Sequence, residues 1–189
     1  MDLINRSVEE HIILTQKLLS DLAGPITVCA ESIIACLRAG GKVLLCGNGG
    51  SAADAQHFAA ELVGRFEVER SGLPAIALTT DTSALTAIGN DYGFELLFSR
   101  QVEALAHKND LLIGISTSGN SQNVCRALQK AKQIGCTTVG LVGRDGGTIA
   151  KEADHALIVS AQRTARVQEM HVLIIHLLCE LIDAADLSS

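Results

Sequence analysis

Two pairs of polar residues have spacings that place side chains on one face of a helix. His57 and Glu61 lie four residues apart. Gln168 and His176 lie eight apart and would project from about the same side of a second helix. Imidazole and carboxylate groups bind zinc and similar divalent ions, and both can transfer protons near neutral pH. Plainer interpretations remain open. The first pair is compatible with a surface hydrogen bond, and His176 lies within the apolar run 172–178, which is compatible with a core histidine.

A glycine-rich segment, Gly47–Ser51, directly precedes the helix that would carry His57. Its sequence is Gly-Asn-Gly-Gly-Ser. Glycines let the backbone approach a ligand and present its N–H groups, and Asn48 and Ser51 add short polar side chains. The same sequence is compatible with a tight turn in which Ser51 caps the helix. On its own, this segment is therefore a weak indication of a ligand loop.

A second polar segment, residues 116–121, follows an apolar run and precedes another predicted helix. Its hydroxyl side chains belong to Ser116, Thr117, Ser118 and Ser121. Hydroxyls and free N–H groups at the start of a helix form an anion site. The segment has no lysine, which excludes a P-loop of the GxxxxGK type. We expect a phosphate held by neutral donors, with a Ser/Thr-rich helix cap as the alternative.

The elements that must position these loops alternate between strands and helices. Short apolar runs predict strands at 42–46, 75–78, 111–115, 138–142 and 156–159. Helical spacing of apolar residues predicts helices at 51–64, 83–88, 94–106, 122–134 and 165–185. It also predicts one helix before Pro25 and one after it, the second ending at Gly40-Gly41. Alternation predicts a parallel sheet covered by helices on both faces, with ligands beyond the carboxyl ends of the strands. Two polar loops at two such strand ends make a shared ligand site the better interpretation of both.

Length and composition favour one α/β domain over residues 1–189, with residues 1–39 as an N-terminal helical pair used in packing and oligomerisation. Hydrophobic residues make up 48% of the chain and aromatic residues 3%, so small and aliphatic side chains must fill the core. The net charge is −6, and Lys and Arg form no cluster. Nucleic acid is therefore not an expected partner. An anionic sugar phosphate remains possible, because a few local donors suffice to bind it.

The six cysteines favour a reducing compartment. They form no C-x-x-C pair, and their neighbours are apolar, so we expect buried, reduced thiols in a cytoplasmic protein. The first residues do not have the pattern of a signal peptide, and no apolar run is expected to be long enough to span a membrane.

Several of these segments, taken in order, resemble the motifs of the SIS (sugar isomerase) family, and specifically its sedoheptulose-7-phosphate isomerases. The segments are Cys46–Ser51, Gln56–Leu62, Gly89–Asp91, Ile115–Ser121 and Arg166–His171. The resemblance runs from about Gly40 to Asp183, and several ordered motifs together are highly specific. It implies a flavodoxin-like parallel sheet flanked by helices, assembled as a homotetramer. It also implies one Zn²⁺ per subunit.

The resemblance assigns roles residue by residue. It implies substrate contacts by Asn48, Gly49, Gly50, Ser51, Glu61, Asn90, Asp91 and Gln168, with Asn90 and Asp91 supplied from another strand end. It implies a phosphate loop at Ser116, Thr117, Ser118 and Ser121. Its zinc ligands correspond to His57, Glu61, Gln168 and His176.

The implied reaction is an aldose–ketose isomerisation, in which sedoheptulose 7-phosphate becomes D-glycero-D-manno-heptose 7-phosphate through an enediol. It would be the first step of ADP-heptose synthesis, which supplies lipopolysaccharide core or other heptose-containing glycans. Glu61 and His176 occupy the acid–base positions. We assign Glu61 as the base and His176 as the acid, and the reverse order is also chemically possible.

Three other functions compete with this one. A non-catalytic paralogue of the family is a tetrameric partner of the bacterial replication initiator, but its pattern lacks the residues found here as Glu61 and His176. A sugar-phosphate-sensing domain of a transcription regulator would need an added DNA-binding domain. An isomerase of another phosphosugar, a hexose or pentose phosphate, is the third.

Overall fold

The strands and helices alternate almost throughout the chain. A computed structural model describes residues 2–185 and 187. The strands are β1 Val43–Gly47, β2 Ala75–Ala77, β3 Leu111–Ser116, β4 Thr137–Gly143 and β5 His155–Val159. The helices are α1 Asp2–Arg38, α2 Gly50–Val63, α3 Thr82–Tyr92, α4 Leu97–Leu105, α5 Gln122–Ile134, α6 Gly147–Glu152 and α7 Thr164–Asp183, with a short 3₁₀ helix at Phe94–Leu96.

All five strands run parallel, in the order β2-β1-β3-β4-β5. This is the flavodoxin-like order, in which the chain reverses its direction of growth next to β1. Every residue of β1 and β3 is buried, as expected for central strands covered on both faces. The predicted fold class is confirmed.

Successive side chains of the strands point to opposite faces of the sheet and contribute to two hydrophobic cores. Leu45 and Ile113 point to the core shared with α1, α2 and α7. Leu44 and Leu112 point to the opposite core, which α4, α5 and α6 complete. The first arrangement matters for function, because it packs α2 and α7 on the same face of the sheet.

The N-terminal segment is one continuous helix rather than a helical pair, so the predicted break at Pro25 is wrong. Pro25 lies inside α1 and is exposed. Proline disfavours a helix because it lacks an N–H and crowds the preceding residue. Here the preceding residue is Gly24, which has no side chain to be crowded, and the other side of the helix is anchored in the core by Ile26, Cys29 and Ile33.

One side of α1 carries large apolar residues that no other described part of the chain covers. Ile4, Val8, Ile12 and Leu19 are 49–73% exposed, and their spacing places them on one stripe. By length and composition alone, α1 could also cross a membrane, because an 18-residue window within it has a mean hydropathy of 1.4, so the expectation that no run is long enough is wrong. This is weak evidence for a membrane span, because an apolar helix packed into a soluble core passes the same test.

A buried ion pair fastens the end of α2 to the end of α7. Arg70 Nε donates to Asp183 Oδ1 over 2.8 Å, and both side chains are less than 10% exposed. The Arg70 guanidinium also donates to the backbone carbonyls of Glu61 and Leu62, at 2.9 Å each, and so caps the last turn of α2. The loop that follows α2 is thereby held against α7.

Candidate active site

Two histidines from different helices meet on the face of the sheet that α2 and α7 share. The Nε2 atoms of His57 and His176 lie 2.8 Å apart, and the two rings meet edge to face with centroids 5.1 Å apart. The ring of Phe66, in the loop after α2, lies against His176 with a centroid distance of 5.5 Å. Both histidines are only partly buried, so a ligand can reach them.

Glu61 lies one turn after His57, on the other edge of its ring. Its Oε1 atom is 3.5 Å from His57 Nδ1, and its side chain is 23% exposed. The imidazole of His57 therefore lies between the carboxylate of Glu61 and the imidazole of His176. The site brings a carboxylate and two imidazoles together, which are the groups that general acid–base catalysis requires.

Gln168 lies beside the first residue of α2. A Cβ atom placed on Gly50 would be 2.0 Å from Gln168 Nε2, so a side chain at this position would displace the end of Gln168. In α7, Gln168 and His176 are eight residues apart. Gln168 lies next to Gly50, and His176 lies next to His57, which follows Gly50 by seven residues in α2. The two helices run side by side in the same direction here, which aligns the two predicted pairs.

The donor atoms at this site are of the types that bind a divalent cation, but they are not arranged around a common point. Two nitrogens bound to one tetrahedral zinc lie about 3.3 Å apart, given Zn–N bonds of about 2.0–2.1 Å. The 2.8 Å between the two Nε2 atoms is close to this. Glu61, however, faces the opposite edge of the His57 ring, and no group of three or more His, Cys, Asp or Glu side chains among the described residues is arranged to hold a metal. A rotation of side chains would be needed to complete the set.

The hydroxyl loop lies at the carboxyl end of β3, as predicted. Ser116 Oγ is 2.9 Å from Ser121 Oγ and 3.3 Å from Ser118 Oγ. Ser121 is the N-cap residue of α5, but its side chain does not accept a hydrogen bond from that helix. These hydroxyls therefore bond mainly to one another, so they can turn to donate to an anion beside the helix start.

The glycine-rich loop lies at the carboxyl end of β1, which is the neighbour of β3 in the sheet. Gly49 has a φ of 58° and an open space where a side chain would be. Ser51 is buried in the first turn of α2, and Asn48 is half-buried. The side chain of Asn48 exchanges two hydrogen bonds with that of Asn123, so the glycine-rich loop is joined to the first turn of α5, which directly follows the hydroxyl loop.

Comparison with known proteins identifies the family. A family model described as "SIS domain" matches residues 8–143. A curated phosphoheptose isomerase of Trichlorobacter lovleyi is 58% identical over 180 residues, which cover 95% of this chain and 92% of that protein. The chain belongs to the phosphoheptose isomerase family of SIS-domain proteins.

Solved structures of phosphoheptose isomerases have the same fold as this chain. A phosphoheptose isomerase from Neisseria gonorrhoeae is 50% identical and superposes with a TM-score of 0.92, covering 97% of this chain and 98% of that one. One from Francisella tularensis is 41% identical with a TM-score of 0.93, covering 97% of each chain. The resemblance inferred from the motifs is confirmed at the level of the family.

In this SIS-domain protein, two predicted substrate residues lie away from the position that the sequence suggested. Asn90 and Asp91 were expected at a strand end, but they lie in the last turn of α3. Both are exposed, and Asn90 Nδ2 donates to Asp91 Oδ1 over 2.8 Å. The reason is that α3 continues to Tyr92, four residues past its predicted end, so the pair belongs to this helix and not to the loop at the end of a strand.

Two further titratable residues near the site were not given roles, and both are buried. Burial raises the pKa of Asp54, an effect that nearby His57 partly offsets, and its Oδ2 atom accepts no hydrogen bond from the described residues. Burial also lowers the pKa of His171 to about 4, although the Val142 carbonyl lies near enough to raise it slightly. Neither ring nitrogen of His171 has a partner of good geometry in the described part of the chain. Such a histidine is neutral and cannot reach a substrate.

Proposed function

We propose that this chain is a phosphoheptose isomerase that converts sedoheptulose 7-phosphate to D-glycero-D-manno-heptose 7-phosphate. The observation that carries the proposal is the convergence of Glu61, His57 and His176 on one side of a sheet whose carboxyl edge also carries the hydroxyl loop. The names of the relatives support the same activity. The replication-partner alternative is weakened because both acid–base positions are filled.

The reaction moves one proton from C1 to C2 and another between the two oxygens, through an enediol. Glu61 would take the proton from carbon, and His176 would donate to and accept from the oxygens. The partial burial of both side chains fits this work, because each can contact a ligand while the apolar residues around α7 limit water. Exchanging the two roles would give the same products.

The remaining site residues would bind and orient the sugar phosphate. The hydroxyls of Ser116, Thr117, Ser118 and Ser121, with the start of α5, would hold the phosphate. Asn48 and the backbone of Gly49 and Gly50 would contact the sugar hydroxyls, together with the amide of Gln168. Holding the substrate at both ends lowers the barrier by orientation alone.

We further propose that His57, Glu61, Gln168 and His176 hold one Zn²⁺ per subunit. When bound, a zinc ion would polarise the substrate carbonyl. The support is the donor set itself, two imidazoles whose Nε2 atoms face each other with a carboxylate next to one of them.

The assembly that we propose is a cytoplasmic homotetramer. The uncovered stripe of Ile4, Val8, Ile12 and Leu19 on α1 supports it, since exposed apolar stripes of this length mark interfaces. All six cysteines are free and buried, and burial raises the pKa of Cys46 to about 12, so the thiols suit a reducing compartment. The product would enter ADP-heptose synthesis.

Incubation of the purified protein with sedoheptulose 7-phosphate tests the activity directly. Nuclear magnetic resonance should show an aldose phosphate with an anomeric proton, formed faster than in a sample without protein. In deuterated water, the product should carry deuterium at C2 if the proton passes through a protein group that exchanges with solvent. Absence of product with zinc supplied would overturn the proposal.

A further inference from the structure

Asn123 is a buried polar residue that lies just after the hydroxyl loop and in none of the family motifs. It is the second residue of α5 and is only 2% exposed. Asn123 Nδ2 donates to Asn48 Oδ1, and Asn48 Nδ2 donates to Asn123 Oδ1, each over 2.9 Å. A buried amide that lost these partners would be costly, so the pair is a strong constraint on both side chains.

The backbone of α5 fixes which way this amide pair faces. Asn123 Oδ1 also accepts a hydrogen bond from the N–H of Val124, over 3.0 Å. A flipped amide would direct its NH₂ group at that N–H, so only one orientation of Asn123 is stable. Because Asn48 must complement it, the orientation of Asn48 is fixed as well.

The amide pair joins the two loops that hold opposite ends of the proposed substrate. Asn48 belongs to the loop after β1, and Asn123 follows the hydroxyl loop after β3. Resting on the function proposed above, we infer that Asn123 is a positioning residue that sets the spacing between the sugar-binding and phosphate-binding loops, and thereby selects the length of the sugar phosphate.

Length selection follows from the geometry of the two loops. Ketose phosphates share the reacting C1 and C2 groups and differ in the number of carbons between C2 and the phosphate. A fixed distance between the two loops lets one length reach both anchors, and a shorter ketose phosphate then loses one of them. Loosening the bridge should penalise the seven-carbon substrate most, because a misplacement of about 1 Å can cost on the order of 10²-fold in rate.

The test compares the parent with Asn123→Ala and Asn123→Asp. The Asp variant keeps an acceptor for Val124 N–H and Asn48 Nδ2, but it offers Asn48 Oδ1 no donor, so it breaks one side of the pair with little change of volume. Gln129→Ala, at an exposed position of the same helix, is the matched control. Each protein is assayed for kcat and KM with sedoheptulose 7-phosphate, for binding of sedoheptulose 7-phosphate and of fructose 6-phosphate by calorimetry, and for thermal unfolding.

We expect both Asn123 variants to fold and to lose on the order of 10²-fold in kcat/KM, as in other cases of misplaced substrate. The preference for the seven-carbon over the six-carbon ligand should fall by about tenfold, which corresponds to about 1.4 kcal/mol. The control should match the parent. An unchanged ratio of the two affinities in folded variants would overturn the inference, even if turnover fell. An inactive parent would instead overturn the proposed function, and the ratio of affinities would still decide whether Asn123 sets the spacing.

Discussion

His57 Nε2 and His176 Nε2 lie 2.8 Å apart, although the two residues are 119 positions apart in the chain. This contact joins the first helix after β1 to the last helix of the fold. Since one nitrogen must donate to the other unless a cation lies between them, the pair is either a hydrogen bond or half of a metal site.

Glu61→Gln should remove most of the turnover while leaving substrate binding nearly unchanged. Gln retains an oxygen that can contact a ligand or metal, but it cannot accept a proton at neutral pH. Loss of an acid–base group costs on the order of 10²–10⁴-fold in rate. Glu69→Gln, at an exposed carboxylate, is the control, and zinc content is measured in every sample. If Glu61→Gln turns over at the parent rate, Glu61 is not the base, and buried His171 could not replace it.

His57→Ala and His176→Ala should each abolish binding of zinc, whereas the parent should retain one zinc per chain after dialysis. Both variants remove one of the two nitrogens that face each other. His107→Ala is the control, because its side chain is 79% exposed and lies away from this contact. Plasma mass spectrometry measures the zinc content of each protein. A parent that takes up no zinc, or variants that bind it as the parent does, would contradict the proposed ligand set.

The apolar stripe of α1 should hold the proposed tetramer together. A double variant with Ile4→Asp and Leu19→Asp places two charges in the stripe and should dissociate the assembly into smaller species. Gln133→Asp adds one negative charge to an exposed part of α5 and should leave the assembly intact. Light scattering at micromolar concentration measures the mass of each. A monomeric parent would refute the proposal.

Gly50→Ala should displace Gln168 and reduce activity. The new Cβ atom would fall 2.0 Å from Gln168 Nε2, so the side chain must leave its place beside α2. Adding Gln168→Ala removes the obstruction. The double variant should therefore recover the thermal stability that Gly50→Ala loses, without recovering the activity that Gln168 supports. Equal activity in Gly50→Ala and the parent would show that this contact is unimportant.

His171 should make the fold sensitive to mild acid. Its pKa is lowered by burial to about 4, below the usual value of about 6.5, so the unfolded chain binds the proton more tightly. The free energy of unfolding should fall as the pH drops from about 6.5 to 4, by up to about 3 kcal/mol. His171→Leu removes this part of the pH dependence, and urea unfolding at several pH values measures it. The same slope in both proteins would contradict the assignment.

The sequence predicted the parallel sheet and both polar loops because their signals are local. An apolar run followed by glycines or hydroxyls specifies a strand and its loop without reference to the rest of the chain. It did not predict the continuity of α1, because the effect of Pro25 depends on the glycine before it and on core contacts of the residues after it. The short helix α6 was also missed, since its six residues are too few to show a period.

Asn123 shows the limit of sequence reasoning about the site itself. Its importance comes from a partner 75 positions away, and an asparagine near a helix start has an ordinary local explanation as a capping residue. The positions of Asn90 and Asp91 were missed for a related reason. Where a helix stops determines the direction of its last side chains, and helix ends are the least certain feature of a sequence pattern.

The order of the elements along the chain has a consequence for synthesis on the ribosome. The loops after β1 and β3 and the helix with His57 emerge well before α7, which carries Gln168 and His176 and is the last of the described helices. Until α7 docks, the nascent sheet exposes the apolar face that Ile174 and Leu178 later cover. At that stage the proposed site lacks the side chains that α7 supplies. A growing chain therefore carries the hydroxyl loop and Glu61 well before it carries the proposed acid His176, and a truncation within α7 should leave an aggregation-prone product without the complete proposed site.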